Sequence, residues 1–71
     1  MAELLLYLTA KYNSTDLSAL DLSRDNLAGM AGIATETVSR VLGDFKENGL
    51  ISRSGNQIMI LNIENLEKIK N

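Results

Sequence analysis

Residues 22–60 read LSRDNLAGMAGIATETVSRVLGDFKENGLISRSGNQIMI, and the spacing of apolar residues and glycines within them decides the architecture. Ser23 stands where a side-chain oxygen caps a helix, with Asn26 at the third helical position and Asp25 in the first turn, where an acid suits the helix dipole. Leu27, Met30 and Ala31 supply the apolar face of a short helix. Gly32, able to take positive φ, ends that helix in a tight turn. A second helix is predicted from about Thr35 to about Asn48. Its buried face is Val38, Val41, Leu42 and Phe45, opposite Glu36, Ser39, Arg40, Gly43 and Lys46. Asn48-Gly49 terminates it. Leu50-Ile51-Ser52 and Gln57-Ile58-Met59-Ile60-Leu61 then form two β-prone runs. The four residues Arg53-Ser54-Gly55-Asn56 between them complete the pattern of a hairpin.

Upstream, Ala2 to about Tyr12 consists of good helix formers, with Leu4, Leu5, Leu8 and Tyr12 at the spacing of a buried face. Leu6 and Tyr7 add apolar surface on other sides, which fits either a fully packed helix or one that packs on something before Met1. Asn13 to Asp16 is a turn cluster, and Leu20-Asp21-Leu22 alternates like a very short strand. Downstream, Asn62 caps a last short helix with Ile63, Leu66 and Ile69 inside. The fold class is therefore mainly α with a small β-hairpin. A short helix, a glycine turn, a longer amphipathic helix and a following hairpin make a winged helix-turn-helix.

A chain of 71 residues, 45 % of them hydrophobic, is one small domain spanning residues 1–71. The absence of cysteine and histidine excludes disulfide frameworks, Cys/His zinc sites and Ser-His or Cys-His catalysis. One Phe, two Tyr and no Trp argue against a stacking platform for single strands. The acidic side chains are spread along exposed faces and no nucleophile has a base beside it, so no catalytic, metal or cofactor site is expected and the chain reads as a binding module. The run Leu4 to Leu8 is too short for a membrane span and Glu3 replaces the positive charge of a leader, which makes the cytoplasm the expected location and no membrane partner expected. The formal net charge is −2, and the cations are scattered along the chain without a visible basic face, so modest affinity and strong salt dependence are expected of any nucleic-acid binding.

In a helix-turn-helix the first residues of the second helix enter the major groove. Here they are Thr35, Glu36, Thr37, Ser39 and Arg40. Arg40 can donate twice to guanine O6 and N7, Glu36 can accept from cytosine N4, and Ser39 suits either kind of base edge. The plainer reading is an exposed Glu36–Arg40 ion pair one helical turn apart; both can hold, since the pair would preorganise the arginine fork. Gly43 on this face is either a point of close backbone approach or an ordinary solvent position. Ser54 and Gly55 at the hairpin tip offer a hydroxyl and a bare N–H to a phosphate, or simply make a turn. Ser23 is an N-cap whose helix start is also suited to phosphate.

On these residues the stretch Leu22 to Ile60, and above all Glu36-Thr37-Val38-Ser39-Arg40-Val41-Leu42 followed by Gly49-Leu50-Ile51, resembles the C-terminal domain of the cyclic-AMP receptor protein and fumarate–nitrate reductase regulator (Crp/Fnr) family. The flanking helices fit as well, so the resemblance covers essentially the whole chain. It implies a domain excised from a dimeric bacterial transcription regulator whose effector-sensing β-barrel and dimerisation helix lie outside this chain. It also implies double-stranded DNA as partner, RNA polymerase as a second candidate partner, and a TTGAT-like half-site arranged as an inverted repeat. The family's base-reading positions fall on Glu36, Ser39 and Arg40. Its backbone-contacting positions fall on Ser23, Arg24, Thr37, Ser54 and Gly55, and Thr35 joins them as an expected backbone contact. Two departures stand out. Ala34 replaces the usual Ser or Thr at the start of the recognition helix, so that Thr35 is expected to take over the cap. Asp25 replaces a neutral residue and would repel phosphate.

The resemblance further implies that this domain alone is monomeric, while the full-length protein pairs two such domains about one helical turn apart on DNA. An alternative function is a winged helix used for protein–protein interaction, which the acidic balance favours.

Overall fold

The computed structural model describes residues 1–69. Its order is helix α1 (Ala2–Tyr12), helix α2 (Arg24–Ala31), helix α3 (Thr35–Glu47), strand β1 (Ile51–Ser54), strand β2 (Gln57–Ile60) and helix α4 (Ile63–Lys68). Lys70 and Asn71 lie outside the described residues.

In α1, Ala2, Leu5, Leu8 and Thr9 are buried, and the Thr9 hydroxyl donates to the Leu6 carbonyl at 2.7 Å. Leu4 and Leu6 are half-buried against the same core. Tyr12 departs from the expected buried face and is 50 % exposed. It is the helix's last residue, and its ring sits with Lys11 Nζ 5.7 Å from the centroid. A tyrosine tolerates that half-wet position because its ring interacts with the cation there. Asn13 turns the chain in the left-handed conformation, φ 51°, which asparagine adopts more readily than most residues.

The expected strand Leu20–Leu22 is not one. Its place in the sheet is taken by Thr15 to Leu17, which touch β2: Ile60 N–H donates to Thr15 O at 2.8 Å and Leu17 N–H to Ile58 O at 2.9 Å. This pairing is too brief to leave an alternating pattern. Asp16 holds the turn beside it, its carboxylate accepting from the hydroxyl and N–H of Ser18. Those bonds to the charged form hold the Asp16 carboxyl below its ordinary value.

Ser23 caps α2, its hydroxyl accepting from Asn26 N–H at 3.2 Å. Leu27 is fully buried with Ala28 packed beside it, whereas Met30 is 49 % exposed. At 100° per residue, Leu27, Ala28 and Ala31 share one arc, and Met30 falls about 100° from its centre. Gly32, at φ 70°, closes the turn with its N–H on Ala28 O at 2.8 Å. Val38, Leu42 and Phe45 anchor α3, with Val41 half-buried beside them.

The wing pairs Ile51 with Ile60 and Arg53 with Ile58. Its connection is Gly55-Asn56, shorter than the expected four residues, because Arg53 and Ser54 belong to β1. Gly55 has φ 59°, as a two-residue hairpin with glycine in the first central position requires. Ile51, Ile58 and Ile60 close the core, but Leu61 lies outside β2 and is 56 % exposed. Its N–H and that of Asn62 turn onto Leu50 O, which ends the strand. Asn62 caps α4 as expected, accepting from Asn65 N–H at 3.1 Å, and Leu66 is fully buried. Ile69 falls just beyond the helix and is 50 % exposed.

Candidate nucleic-acid interface

The burial of Val38, Leu42 and Phe45 determines what α3 shows outward. At 100° per residue, Glu36, Arg40 and Gly43 fall on an arc opposite Val38, with Ser39 and Lys46 on one flank and Thr37 on the other. Glu36, Arg40 and Gly43 are exposed, while Thr35, Thr37 and Ser39 are half-buried. Among the described residues Glu36 and Arg40 do not pair: the Glu36 carboxylate accepts from the Thr35 hydroxyl at 3.4 Å. The Arg40 fork thus stands in solvent without an intramolecular partner among the described residues. Beyond its chain neighbours and the adjoining backbone of its own helix, a Cβ at Gly43 would meet no atom within 4 Å, which favours the ordinary solvent position there.

Ala34 occupies the cap position of α3 with φ −70° and ψ 152° and makes no side-chain bond. Thr35 does not replace it. Thr35 is the first helical residue, its hydroxyl is turned to Glu36, and the helix start is not shifted.

Ser39, on its flank, meets the start of α2: the Arg24 guanidinium donates to its hydroxyl at 3.2 Å. The wing tip folds onto the same place, because Leu22 N–H donates to Asn56 O at 3.0 Å. A cleft lined by Ser23, Arg24, Asp25, Arg53, Gly55 and Asn56 results, and it adjoins a second lined by Arg24, Ser39, Leu42, Gly43, Lys46 and Arg53. The fold therefore brings Ser23, Arg24, Ser39 and Gly55 together. It does not bring Ser54 with them: strand alternation turns Ser52 and Ser54 to the other face of β1, into a groove with Asp16 and Ser18.

Arg53 and Lys46 were not among the sequence-derived contacts, yet both line this surface. The signal for Arg53 was its period-two relation to Ile51, which only a fixed strand boundary makes readable. Its guanidinium donates to Leu22 O at 3.1 Å. Burial, and after it the charge of Arg24, pulls Arg53 down from its ordinary value. Among the described residues no group of three or more His, Cys, Asp or Glu could hold a metal ion, and no helix is long and apolar enough to cross a membrane.

Two helices joined by a glycine turn, the second exposing a polar face and followed by a hairpin folded against the start of the first, define a winged helix-turn-helix. The Crp-like helix-turn-helix domain family matches residues 1–69, and the chain belongs to that family. It is 40 % identical over 65 residues to the transcriptional activator protein anr of Pseudomonas aeruginosa, covering 86 % of this chain and 27 % of that protein. It is 31 % identical over 72 residues to the CRP-like cAMP-activated global transcriptional regulator of Mycobacterium tuberculosis, covering 96 % of this chain and 32 % of the relative. A crystal structure of a protein described as a transcriptional regulator of the Crp/Fnr family, from Eubacterium rectale, superposes with a TM-score of 0.83 at 28 % identity, over 94 % of this chain and 30 % of that one. The chain thus spans less than a third of the length of these relatives, which are transcription regulators and not enzymes.

Proposed function

We propose that this chain binds double-stranded DNA for a Crp/Fnr-type transcription regulator, with α3 in the major groove and the wing and the start of α2 on the flanking backbone. The observation that carries this reading is the outward arc of α3, where Glu36 and Arg40 are exposed, unpaired with each other among the described residues, and flanked by the cation-lined clefts. Arg40 donates to guanine, Glu36 accepts from cytosine, and Ser39 bonds the next base edge. Ser23, Arg24, Thr35, Thr37 and Gly55 contact phosphates, and Ser54 does so from the outer face of the wing. The half-site is TTGAT-like. In the intact regulator two copies pair on an inverted repeat in the cytoplasm, with RNA polymerase as a further partner. The domain alone is a monomer that lacks the avidity of the pair.

Fluorescence anisotropy tests this with a labelled TTGAT inverted-repeat duplex and a scrambled duplex at low and physiological salt. Tighter binding to the specific duplex, with the preference erased by Glu36→Ala or Arg40→Ala, supports the assignment. Equal binding of all three proteins to both duplexes refutes it and redirects attention to a protein partner.

A further inference from the structure

We infer that Arg53 and Arg24 form a two-arginine clamp for one phosphodiester of the DNA backbone, in the cleft between the wing and the start of α2. The inference rests on the proposed DNA reading and adds to it a residue, Arg53, and a specific seat.

Arg53 shares its strand face with Ile51 and stands opposite Ile58, both of them core residues. An apolar side chain would satisfy that position; a guanidinium there is half-buried beside another cation. Among the described residues no carboxylate pairs with either arginine. Arg53 donates to Leu22 O and Arg24 to Ser39 Oγ, which leaves most of the five N–H donors of each fork unused. Two close guanidiniums repel each other, and an anion between them turns that repulsion into attraction.

The cleft is also pre-shaped. Leu22 N–H on Asn56 O and Arg53 on Leu22 O tie the wing to the residue before the Ser23 cap in both directions. The Arg53 fork is therefore held in place before any ligand arrives, and the exposed Arg24 is directed by its bond to Ser39. The space they line is about 410 Å³ and open to solvent, so a phosphate group enters with part of its hydration. Asp25 is the acid in this lining. With two arginines against it, the lining carries one net positive charge, equal and opposite to a single phosphodiester.

The test uses the whole 71-residue chain and duplex binding by anisotropy between 50 and 200 mM salt, with the TTGAT duplex and the scrambled one. Arg53→Gln is expected to weaken both duplexes by the same factor. That factor should shrink about 3.5-fold across the salt range, the loss of one phosphate contact at a slope of about 0.9. Asp25→Asn is expected to tighten binding to both, a gain that no folding defect produces. A scan of single neutral methylphosphonates should find a position that costs the unaltered chain affinity and costs Arg53→Gln none. Loss confined to the specific duplex, a salt-independent loss, or a scan profile unchanged by Arg53→Gln would overturn the clamp while leaving the DNA reading intact. If the unaltered chain binds neither duplex, the DNA reading falls and the clamp with it.

Discussion

Replacing Ala34 by serine should stabilise the domain, because α3 begins without a side-chain cap while α2 has one. Ala34 holds φ −70° and ψ 152°, and Ser23, the cap of α2, holds φ −61° and ψ 160°. The Ser23 hydroxyl accepts from the N–H three residues on at 3.2 Å. A serine at position 34 has the same backbone and the same rotamer available, so its hydroxyl would accept from Thr37 N–H, one of the donors a helix start leaves unsatisfied. Ala34 is exposed, so the new hydroxyl gives up no burial. Capping of this kind contributes about 1 kcal/mol, within a range of roughly 0.5–2. For 71 residues the unfolding entropy near the midpoint is about 150 cal/mol/K, which converts that gain to a Tm rise of about 7 °C.

Far-UV circular dichroism melts of the unaltered chain, Ala34→Ser and Ser23→Ala make the comparison, with Ser23→Ala expected to fall by a similar amount. A fall for Ser23→Ala with a rise of less than about 2 °C for Ala34→Ser would refute the claim that the missing cap costs α3 anything. Ala34→Asp separates stability from binding. It supplies the same cap and matches the Tm gain, but its charge at the recognition-helix start should weaken binding to every duplex.

Arg40→Ala should reduce the preference for the specific duplex by about 5- to 150-fold, the equivalent of about 1–3 kcal/mol per base contact, while salt-sensitive binding to scrambled DNA survives in anisotropy. Leu27→Ala, at a side chain with no exposed surface, should cost about 2–5 kcal/mol; in urea titration this lowers the midpoint with little change in slope. Gly55→Val has open space around its Cβ but φ 59°, so its cost is conformational, about 1–2 kcal/mol, read as a lower Tm with the wing still formed by NMR. The Asp16 carboxyl is held below its ordinary value by Ser18, so its contribution is complete above the unfolded carboxylate's range and is lost as pH falls through the lowered value. Asp16→Asn should accordingly lower stability at neutral pH, where the carboxylate's contribution is complete, and flatten part of the acid limb so that the two stability–pH curves converge at low pH, as measured by thermal melts.

The elements of residues 22–60 were legible because their signals are local. Ser23 and Gly32 bracket α2 as a cap and a left-handed turn, and Val38, Leu42 and Phe45 repeat at helical spacing. Boundaries that depend on packing were less legible. Arg53 and Ser54 looked like loop because a charged residue on a strand's inner face breaks the alternation that marks strands. Tyr12, Met30 and Ile69 looked internal because periodicity ranks faces without saying how far the neighbouring elements extend. The sheet contact of Thr15 to Leu17 left no pattern at all.

For the site, the residue types and spacing in α3 by themselves singled out Glu36, Ser39 and Arg40, since an i, i+4 face is a property of one helix. Composition, net charge and linear order showed only scattered cations. The meeting of Arg24, Lys46 and Arg53 beside Ser39 was decided by tertiary structure. Leu22 joins the wing through a backbone bond to Asn56 and a bond accepted from the Arg53 guanidinium, both between residues far apart in the chain, and strand alternation turns Arg53 toward α2 and Ser54 away from it. Local periodicity determines which way a side chain faces on its own element. Where the charges of separate elements converge depends on how those elements pack.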